Sequence, residues 1–304
     1  MLLFLLAACG HHIPEPTGAL APLPAPASSL AVCRAEFATG TLPKGMVVAH
    51  GALKVDVPST QSGLVLLHPD GAWLVDGGMA VGFETSMREV KGLVGFAMRE
   101  ASKGWTRAGT PEEVLGRAGL APAMLKGAIL SHGHFDHLGG LLDLPAVPIW
   151  APAQELEEAS AVAAGGKGSI LPAEARALVE RGRAISFDGP AVGPYPASWD
   201  LYGDGSAVIV PMPGHTAGSV GTLLRLPDGR RVFHVGDTVW VREGYEAREP
   251  KGWLASSFDS SREGTDEQIQ RLWQLHQADP ELIILPAHDR RQWEALFGAG
   301  DCIR

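Results

Sequence analysis

Long apolar runs, basic clusters and cysteines are all scarce in this 304-residue sequence. After the first ten residues no run of 18 apolar residues occurs, which excludes a membrane-spanning helix in the rest of the chain. Lys and Arg total 25 against 34 Asp and Glu, and no basic residues cluster with aromatics, so nucleic acid is not expected as a partner. Hydrophobic residues make up 45% of the chain, which is enough to predict a globular protein with a substantial core.

The first ten residues, MLLFLLAACG, form a short apolar segment. It ends in Leu6, Ala7, Ala8 and Cys9 and resembles the lipobox of bacterial lipoproteins, in which the signal is removed and the cysteine carries lipid. The resemblance predicts a signal peptide at residues 1–8, lipidation of Cys9 and export to the periplasmic side of the cell envelope, with the lipid as the only membrane attachment. Because no Lys or Arg precedes the apolar run, a frayed apolar tail remains the alternative.

The next segment, residues 9–30, is rich in Pro and Ala and shows no periodicity, which predicts a spacer without core residues. Residues 31–304 then form a single domain. Cys33 and Cys302 lie near its two ends and are left over if Cys9 carries lipid. Since chain termini often lie close together and an exported protein meets an oxidising compartment, a disulfide between them is one prediction and two unrelated buried thiols are the other.

Strand-like segments are followed by helix-like segments twice along the chain, which predicts one α+β domain with two sheet-and-helix halves. In the first half, strands are predicted at residues 46–57, 63–67 and 72–75, and Thr110 followed by a proline marks the start of a helix. In the second half, two strands are joined through PDG in a hairpin, and an amphipathic helix is predicted to begin with Thr265 as its N-cap.

The segment SHGHFDHLGG, residues 131–140, places three histidines and an aspartate directly after a short apolar strand. His132 and His134 are two apart on the extended strand end, so they point the same way and can bind one ion together. Asp136 and His137 follow on the next turn, where they can face a second ion. Imidazole and carboxylate suit divalent ions of the zinc type, and the internal position of the motif argues against a tag. The motif therefore predicts a metal site.

Four groups on one loop are too few for two ions, so ligands are expected at other strand ends. His215 in PMPGHTAG, Asp237 in HVGDT and His288 in LPAHD each follow an apolar strand. Such positions are where the site residues of layered sheet folds collect. Their joint occurrence after the histidine cluster predicts that all three complete the metal site.

The four motifs H-x-H-x-D-H, G-H-T-x-G, G-D-T and a late strand-end histidine resemble the metallo-β-lactamase superfamily over residues 48–291. The resemblance implies a four-layer αββα sandwich, with two mixed sheets flanked by helices and two metal ions, expected to be Zn²⁺, at one edge. The implied ligands are His132, His134 and His215 for the first ion, Asp136, His137 and His288 for the second, and Asp237 as the bridge between them.

Asp76, in WLVDGG, matches the aspartate that ends an early strand in this superfamily and supports a metal ligand from behind. A simple turn residue is the alternative. Two ions at such a site can share a hydroxide that attacks a carbonyl, with Asp136 as the candidate proton shuttle. The implied activity is hydrolysis of a lactone or ester in a small-molecule substrate.

The phrase GAILSHGHFDHLGG resembles the quorum-quenching N-acyl homoserine lactone hydrolases most. That family carries a tyrosine three residues after the bridging aspartate, where this sequence has Trp240, so Trp240 and the nearby Tyr245 are the candidate substrate-binding residues. A thioesterase of the glyoxalase II type and a non-catalytic metal-binding lipoprotein are the alternatives. Because β-lactamases use Cys or a non-bridging residue at the position of Asp237, antibiotic hydrolysis is less expected.

Overall fold

The computed structural model describes residues 13–23, 29–82, 104–145 and 147–304, which fold into two β-sheets and the helices that cover them. Residues 1–8 and Cys9, predicted as signal and lipidation site, lie outside the described residues. Within the described part no helix is long and apolar enough to cross a membrane.

Within the described residues, thirteen strands build the two sheets. They are β1 Ala31–Pro43, β2 Asp56–His68, β3 Gly71–Val75, β4 Thr106–Arg107, β5 Leu125–Ile129, β6 Ile149–Ala151, β7 Gly182–Ala184, β8 Trp199–Asp200, β9 Ala207–Pro211, β10 Val220–Arg225, β11 Arg231–His234, β12 Ile283–Leu285 and β13 Cys302–Ile303. The first sheet has the order β13-β1-β2-β3-β5-β6-β7, with β4 paired to β1, and the second has the order β12-β11-β10-β9-β8. Both are mixed, since β3, β5, β6 and β7 pair in parallel in one and β11 with β12 in the other.

The described helices flank the sheets. They are α1 Lys44–Val47, α2 Pro111–Arg117, α3 Phe135–Leu138, α4 Ala153–Ala163, α5 Pro172–Arg181, α6 Arg242–Glu246, α7 Arg262–Ala278 and α8 Arg290–Phe297. Short 3₁₀ turns lie at Pro122–Met124, Gly139–Asp143 and Ala255–Phe258. Thr110 caps α2 as predicted, because its side chain accepts a hydrogen bond from the amide of Glu113 and the Glu113 carboxylate accepts one from the amide of Thr110.

Alternation along the strands sorts the core into layers. In β9, Ala207 and Ile209 pack between the two sheets, whereas Val208 and Val210 pack on the outer face against α7. The outer face of the first sheet packs against α2, α4 and α5. The predicted αββα sandwich of two mixed sheets flanked by helices is thereby confirmed.

Two local predictions were wrong. The strand expected over Met46–Val57 is replaced by α1 and a turn, because its apolar residues do not share one buried face: Val47 is buried, but Leu53 is 60% exposed. The helix α7 begins one turn earlier than expected, since the Ser261 side chain accepts from the amide of Gly264 while Thr265 lies inside the helix and donates to the Ser261 carbonyl.

Part of the segment 9–30, predicted as a spacer without core residues, packs against the folded body. Ile13 is 1% exposed and packs in the cluster formed by the second sheet and α7. Gln270 and Gln274 of α7 donate to the carbonyls of Pro14 and Gly18, each at 2.7 Å. Residues 13–23 therefore lie along the folded body. The sequence did not predict this packing, because many of the contacts are made through backbone carbonyls, which produce no periodic pattern of side chains.

Cys33 and Cys302 form a disulfide that fastens β13, at the end of the chain, to β1. Five strands end at the same side of the sandwich, because the candidate ligands that follow them lie close together. These strands are β3, β5, β9, β11 and β12. That edge holds the candidate site.

Candidate metal centre

The predicted ligands come together at the carboxyl ends of strands from both sheets. His132 follows β5 of the first sheet, whereas His215, Asp237 and His288 follow β9, β11 and β12 of the second. All of these side chains are at most 5% exposed, and the structure also places His134 and His137 in the buried group. Together with Asp136, whose side chain is 13% exposed, these residues form one cluster of seven, which is the arrangement expected from the sequence.

Within the cluster, three groups of ligand atoms lie close enough to hold a metal, with all atoms of a group within 4.8 Å of one another. The groups are His132, His134 and His215; Asp136, His137 and His288; and His132, His137 and Asp237. The first two match the two ion sites expected from the sequence. The third group joins members of both, which puts Asp237 between them.

Distances from Asp237 show the same central position. Its Oδ1 lies 3.2 Å from Nε2 of His137 and 3.1 Å from Nε2 of His288, and its Oδ2 lies 3.5 Å from Nε2 of His215. Oδ2 of Asp136 lies 3.5 Å from Nε2 of His288. One carboxylate therefore faces ligands of both groups.

Several of these atoms are buried without hydrogen-bond partners among the described residues. They are Nε2 of His132, His137 and His215 and Oδ1 of Asp237. Burying a polar atom without a hydrogen-bond partner costs free energy. A set of such atoms that face one another therefore indicates that a further group binds to these atoms. Imidazole nitrogen and carboxylate oxygen are the donors that Zn²⁺ and similar divalent ions prefer, and the cluster therefore fits two such ions.

Electrostatics divide the histidines into two classes. Burial lowers the pKa of His132, His134 and His215, which keeps these rings neutral and able to bind a cation. Burial also acts to lower the pKa of His137 and His288, but the carboxylates of Asp237 and Asp136, joined by Asp76 at His137, together outweigh it and raise the pKa of both rings. These two rings hold protons that a divalent cation would replace.

Asp76 lies directly behind the second group. Its Oδ2 accepts from Nδ1 of His137 at 2.8 Å, and both of its oxygens accept from Ser131, from the amide at 2.8 Å and from the hydroxyl at 2.7 Å. Asp76 has φ 61°, an uncommon left-handed conformation for a residue other than glycine, which these hydrogen bonds hold in place. The contact fixes the His137 ring so that Nε2 faces the cluster.

Two contacts behind the other ligands were not predicted from the sequence. Asp259 Oδ1 accepts from Nδ1 of His215 at 2.7 Å and from Nζ of Lys251 at 2.6 Å. Nδ1 of His288 donates to the carbonyl of Thr60 at 2.8 Å. Asp259 lies in SSFDSS, which matches no recognisable motif, so the sequence did not mark it as a site residue. The contact to Thr60 is made through its backbone carbonyl, which any residue type provides, so it could not be predicted from the sequence.

Comparison with known proteins now gives the family. The model of the metallo-beta-lactamase superfamily matches residues 55–288, which include the whole cluster. The chain belongs to the metallo-beta-lactamase superfamily.

Named relatives of this superfamily member share about a quarter of its residues. N-acyl homoserine lactonase AttM of Rhizobium johnstonii is 24% identical over 241 residues, covering 76% of this chain and 82% of the relative. A probable metallo-hydrolase of Mycobacterium tuberculosis is 27% identical over 238 residues, covering 72% and 71%. The chain is accordingly a metallo-hydrolase of this superfamily.

Solved structures show the same fold. An N-acyl homoserine lactone hydrolase with the product N-hexanoyl-L-homoserine bound at its catalytic metal centre superposes with a TM-score of 0.63 at 19% identity, over 88% of this chain and 95% of that one. AidC, a dizinc quorum-quenching lactonase, gives 0.58 at 16% identity over 88% and 89%.

Half-buried aromatic side chains surround the superfamily metal cluster in this chain. The Trp240 ring lies 5.0 Å from that of His288 and 6.0 Å from that of Phe258, and Phe258 lies 6.0 Å from His134. The Trp240 Nε1 atom is buried without a partner among the described residues. The Trp240 ring therefore lies beside the cluster, and its indole N–H is unpaired among the described residues.

The structure does not bring Tyr245 to this wall. Tyr245 is 3% exposed and packs in the core under α7, where its hydroxyl accepts from Nε2 of Gln292 at 2.8 Å and its ring lies 5.4 Å from that of His276. Trp253, another aromatic of this segment, is 61% exposed. Tyr245 faces away from the site because it lies on the short helix α6, whose buried side packs into this core cluster.

Proposed function

We propose that this protein is a dinuclear, zinc-dependent lactone hydrolase that acts on N-acyl homoserine lactones or closely similar lactones. The observation that carries the proposal is the position of Asp237 between two complete sets of nitrogen and carboxylate ligands. A carboxylate shared by two sites is suited to a pair of divalent ions that act on one carbonyl. The named lactonase relatives supply the substrate class.

The ligand sets define what the chain contributes. His132, His134 and His215 would hold one ion, Asp136, His137 and His288 the other, and Asp237 both. Divalent ions held in this way lower the pKa of water toward about 7 and polarise a carbonyl oxygen. The chain orients these groups through the hydrogen bonds behind the rings, so little reorganisation is required when a substrate binds.

Asp136 is the group that we assign to proton transfer. Its side chain is 13% exposed, whereas the other carboxylate of the cluster, Asp237, is 3% exposed. The more accessible carboxylate can exchange a proton with solvent. We infer that Asp136 receives the proton released during attack and delivers it to the departing alkoxide oxygen.

Trp240 is the residue that we assign to substrate positioning. It stands three residues after Asp237, and its ring lies 5.0 Å from that of His288. Together with Phe258 it offers apolar surface for an acyl chain. Trp240→Ala should therefore raise KM, and more for lactones with long acyl chains than for those with short ones.

The deciding experiment assays protein reconstituted with zinc, with metal content measured first. The substrates are homoserine lactones of several acyl lengths, a glutathione-type thioester and a chromogenic β-lactam. Lactone turnover that is abolished in His215→Ala and retained in Glu180→Gln, an exposed control on α5, supports the proposal. Preferential thioester turnover would reassign the enzyme to the glyoxalase II type, and two bound ions without any turnover would favour the non-catalytic alternative.

We also propose that the chain is exported and attached to the cell envelope through lipid on Cys9. The Cys33–Cys302 disulfide supports export, because such bonds persist in oxidising compartments. Only three residues separate Cys9 from the buried Ile13, so a lipid there would hold the folded body within about 15 Å of the bilayer. Membrane fractionation of the full chain and of Cys9→Ser tests this, since a soluble wild type would contradict it.

A further inference from the structure

Glu155, in the first turn of α4, is a buried carboxylate that none of the preceding functional assignments uses. It is 1% exposed. Its Oε1 accepts from the hydroxyl of Thr216 and from the amide of Gly218 at 3.2 Å. Both donors belong to the loop G-H-T-A-G, and Thr216 is the residue next to the ligand His215.

The same carboxylate also faces the other ligand loop of the first ion site. The backbone amide of Gly133 points toward it, although Oε2 forms no hydrogen bond of regular geometry. Gly133 stands between His132 and His134. One side chain therefore contacts the two loops that deliver all three histidines of the first group.

Steric evidence shows that the two loops are shaped around Glu155. A Cβ atom at position 133 would lie 2.5 Å from its Oε2, and one at position 218 would lie 2.6 Å from its Cγ. Only glycine leaves room for the carboxylate at these positions. Gly133 and Gly218 therefore both lie directly against the Glu155 side chain.

We propose that Glu155 is a positioning residue that ties the His132–His134 loop to the His215 loop and so sets the geometry of the first ion site. A carboxylate is suited to this role because it can only accept hydrogen bonds, and the groups that face it here are hydrogen-bond donors. Glutamine at position 155 would turn an amide group toward one of those donors, and aspartate would be too short to reach both loops. The contacts leave out the ligands Asp136, His137 and His288, so the effect should be confined to the first site.

The test measures metal affinity of the full chain, without any substrate. Cobalt(II) is titrated into chelator-stripped wild type, Glu155→Gln, Glu155→Asp and the control Glu157→Gln, with the visible spectrum and a competing chelator as readouts. Glu157 lies two residues further along α4 and is exposed. We expect the first-site affinity to fall by about 10- to 100-fold in both Glu155 variants, with the second site and the control within about threefold of wild type.

A second variant covers the case in which Glu155 variants do not fold. Thr216→Val removes one of the three donors and should weaken the first site by a smaller factor. The inference is overturned if first-site affinity is unchanged, or if both sites weaken equally together with a loss of metal-free stability, since that result marks a general structural role. It rests on the proposed metal centre alone: wild type that binds two ions but opens no lactone would refute the proposed activity and leave this inference standing.

Discussion

The buried carboxyl group of Glu174 makes the stability of this protein depend on pH in a way that one substitution should remove. Glu174 lies in the first turn of α5 and is 1% exposed. Its Oε2 accepts from the amide of Leu171 at 3.4 Å, while Oε1 has no partner among the described residues. Burial raises the pKa of Glu174 to about 8 from its ordinary 4.5, helped by the negative charge of Asp136. The group is therefore protonated in the folded protein at neutral pH.

The sign and size of the effect follow from linkage. Between pH 4.5 and 8 the unfolded chain has lost this proton and the folded chain has kept it, so the free energy of unfolding falls as pH rises. The slope approaches about 1.4 kcal/mol per pH unit, which gives a loss on the order of 3 kcal/mol between pH 5 and pH 8. Glu174→Gln has no proton to lose, so its stability relative to wild type should increase by this amount over the same interval.

Urea unfolding of chelator-stripped protein at pH 5 and pH 8 measures the difference. Metal is removed so that protons released by metal binding do not contribute to the measured free energies. Subtracting the free energy of unfolding of the wild type from that of the variant cancels the contributions of all other titrating groups. Glu180→Gln, an exposed substitution on the same helix, should show no pH-dependent difference. If the wild type and Glu174→Gln differ by the same free energy at both pH values, the carboxyl is not held neutral by burial and the reasoning fails.

Three further predictions test the groups behind the cluster and the chain ends. Asp76→Asn should weaken second-site metal binding by about 10- to 100-fold, measured by chelator competition, because asparagine has one acceptor oxygen where the aspartate uses two, so Ser131 and the His137 ring cannot both keep their acceptors. Lys251→Met should lower the free energy of unfolding by about 3 kcal/mol, since it leaves the buried Asp259 without its cation, and adding Asp259→Leu should recover part of the loss. Replacing both Cys33 and Cys302 by Ser should cost about 5 kcal/mol and remove the effect of a reductant on urea unfolding; equal sensitivity of wild type and variant would contradict it.

The sequence predicted well which candidate ligand side chains the fold brings together, because their signal is local. His132, His134 and His137 lie within six residues of one another, and a parallel sheet brings strand ends to one edge whatever the details of the loops. The sequence predicted local boundaries less well. Ser261 and Thr265 are both good helix caps, and only the tertiary position of the Gly214 loop, whose carbonyl accepts from the Ser261 amide at 2.9 Å, selects Ser261.

Apart from Asp76, the groups behind the ligands could not be predicted, for a different reason. Each ligand ring needs an acceptor for Nδ1, so the requirement follows from the sequence, but its identity depends on which segment the fold brings close. For His215 that segment is 44 residues away, at Asp259. For His288 it is the edge of β2, 228 residues away, at the carbonyl of Thr60.

These supporting groups also make the two ion sites electrostatically different. Behind the first site, the charge of Asp259 is offset by Lys251, whose Nζ lies 2.6 Å from it, and the three ligand rings are neutral. The second site has the carboxylate of Asp136 among its ligands and that of Asp76 behind His137, and the structure places no Lys or Arg in an ion pair with either of them in the described residues. With Asp237 shared, the second site offers a divalent cation two more negative charges than the first. Divalent ions bound at the two sites would therefore be unequally neutralised, and the less neutralised ion of the first site would be the stronger Lewis acid toward a carbonyl oxygen.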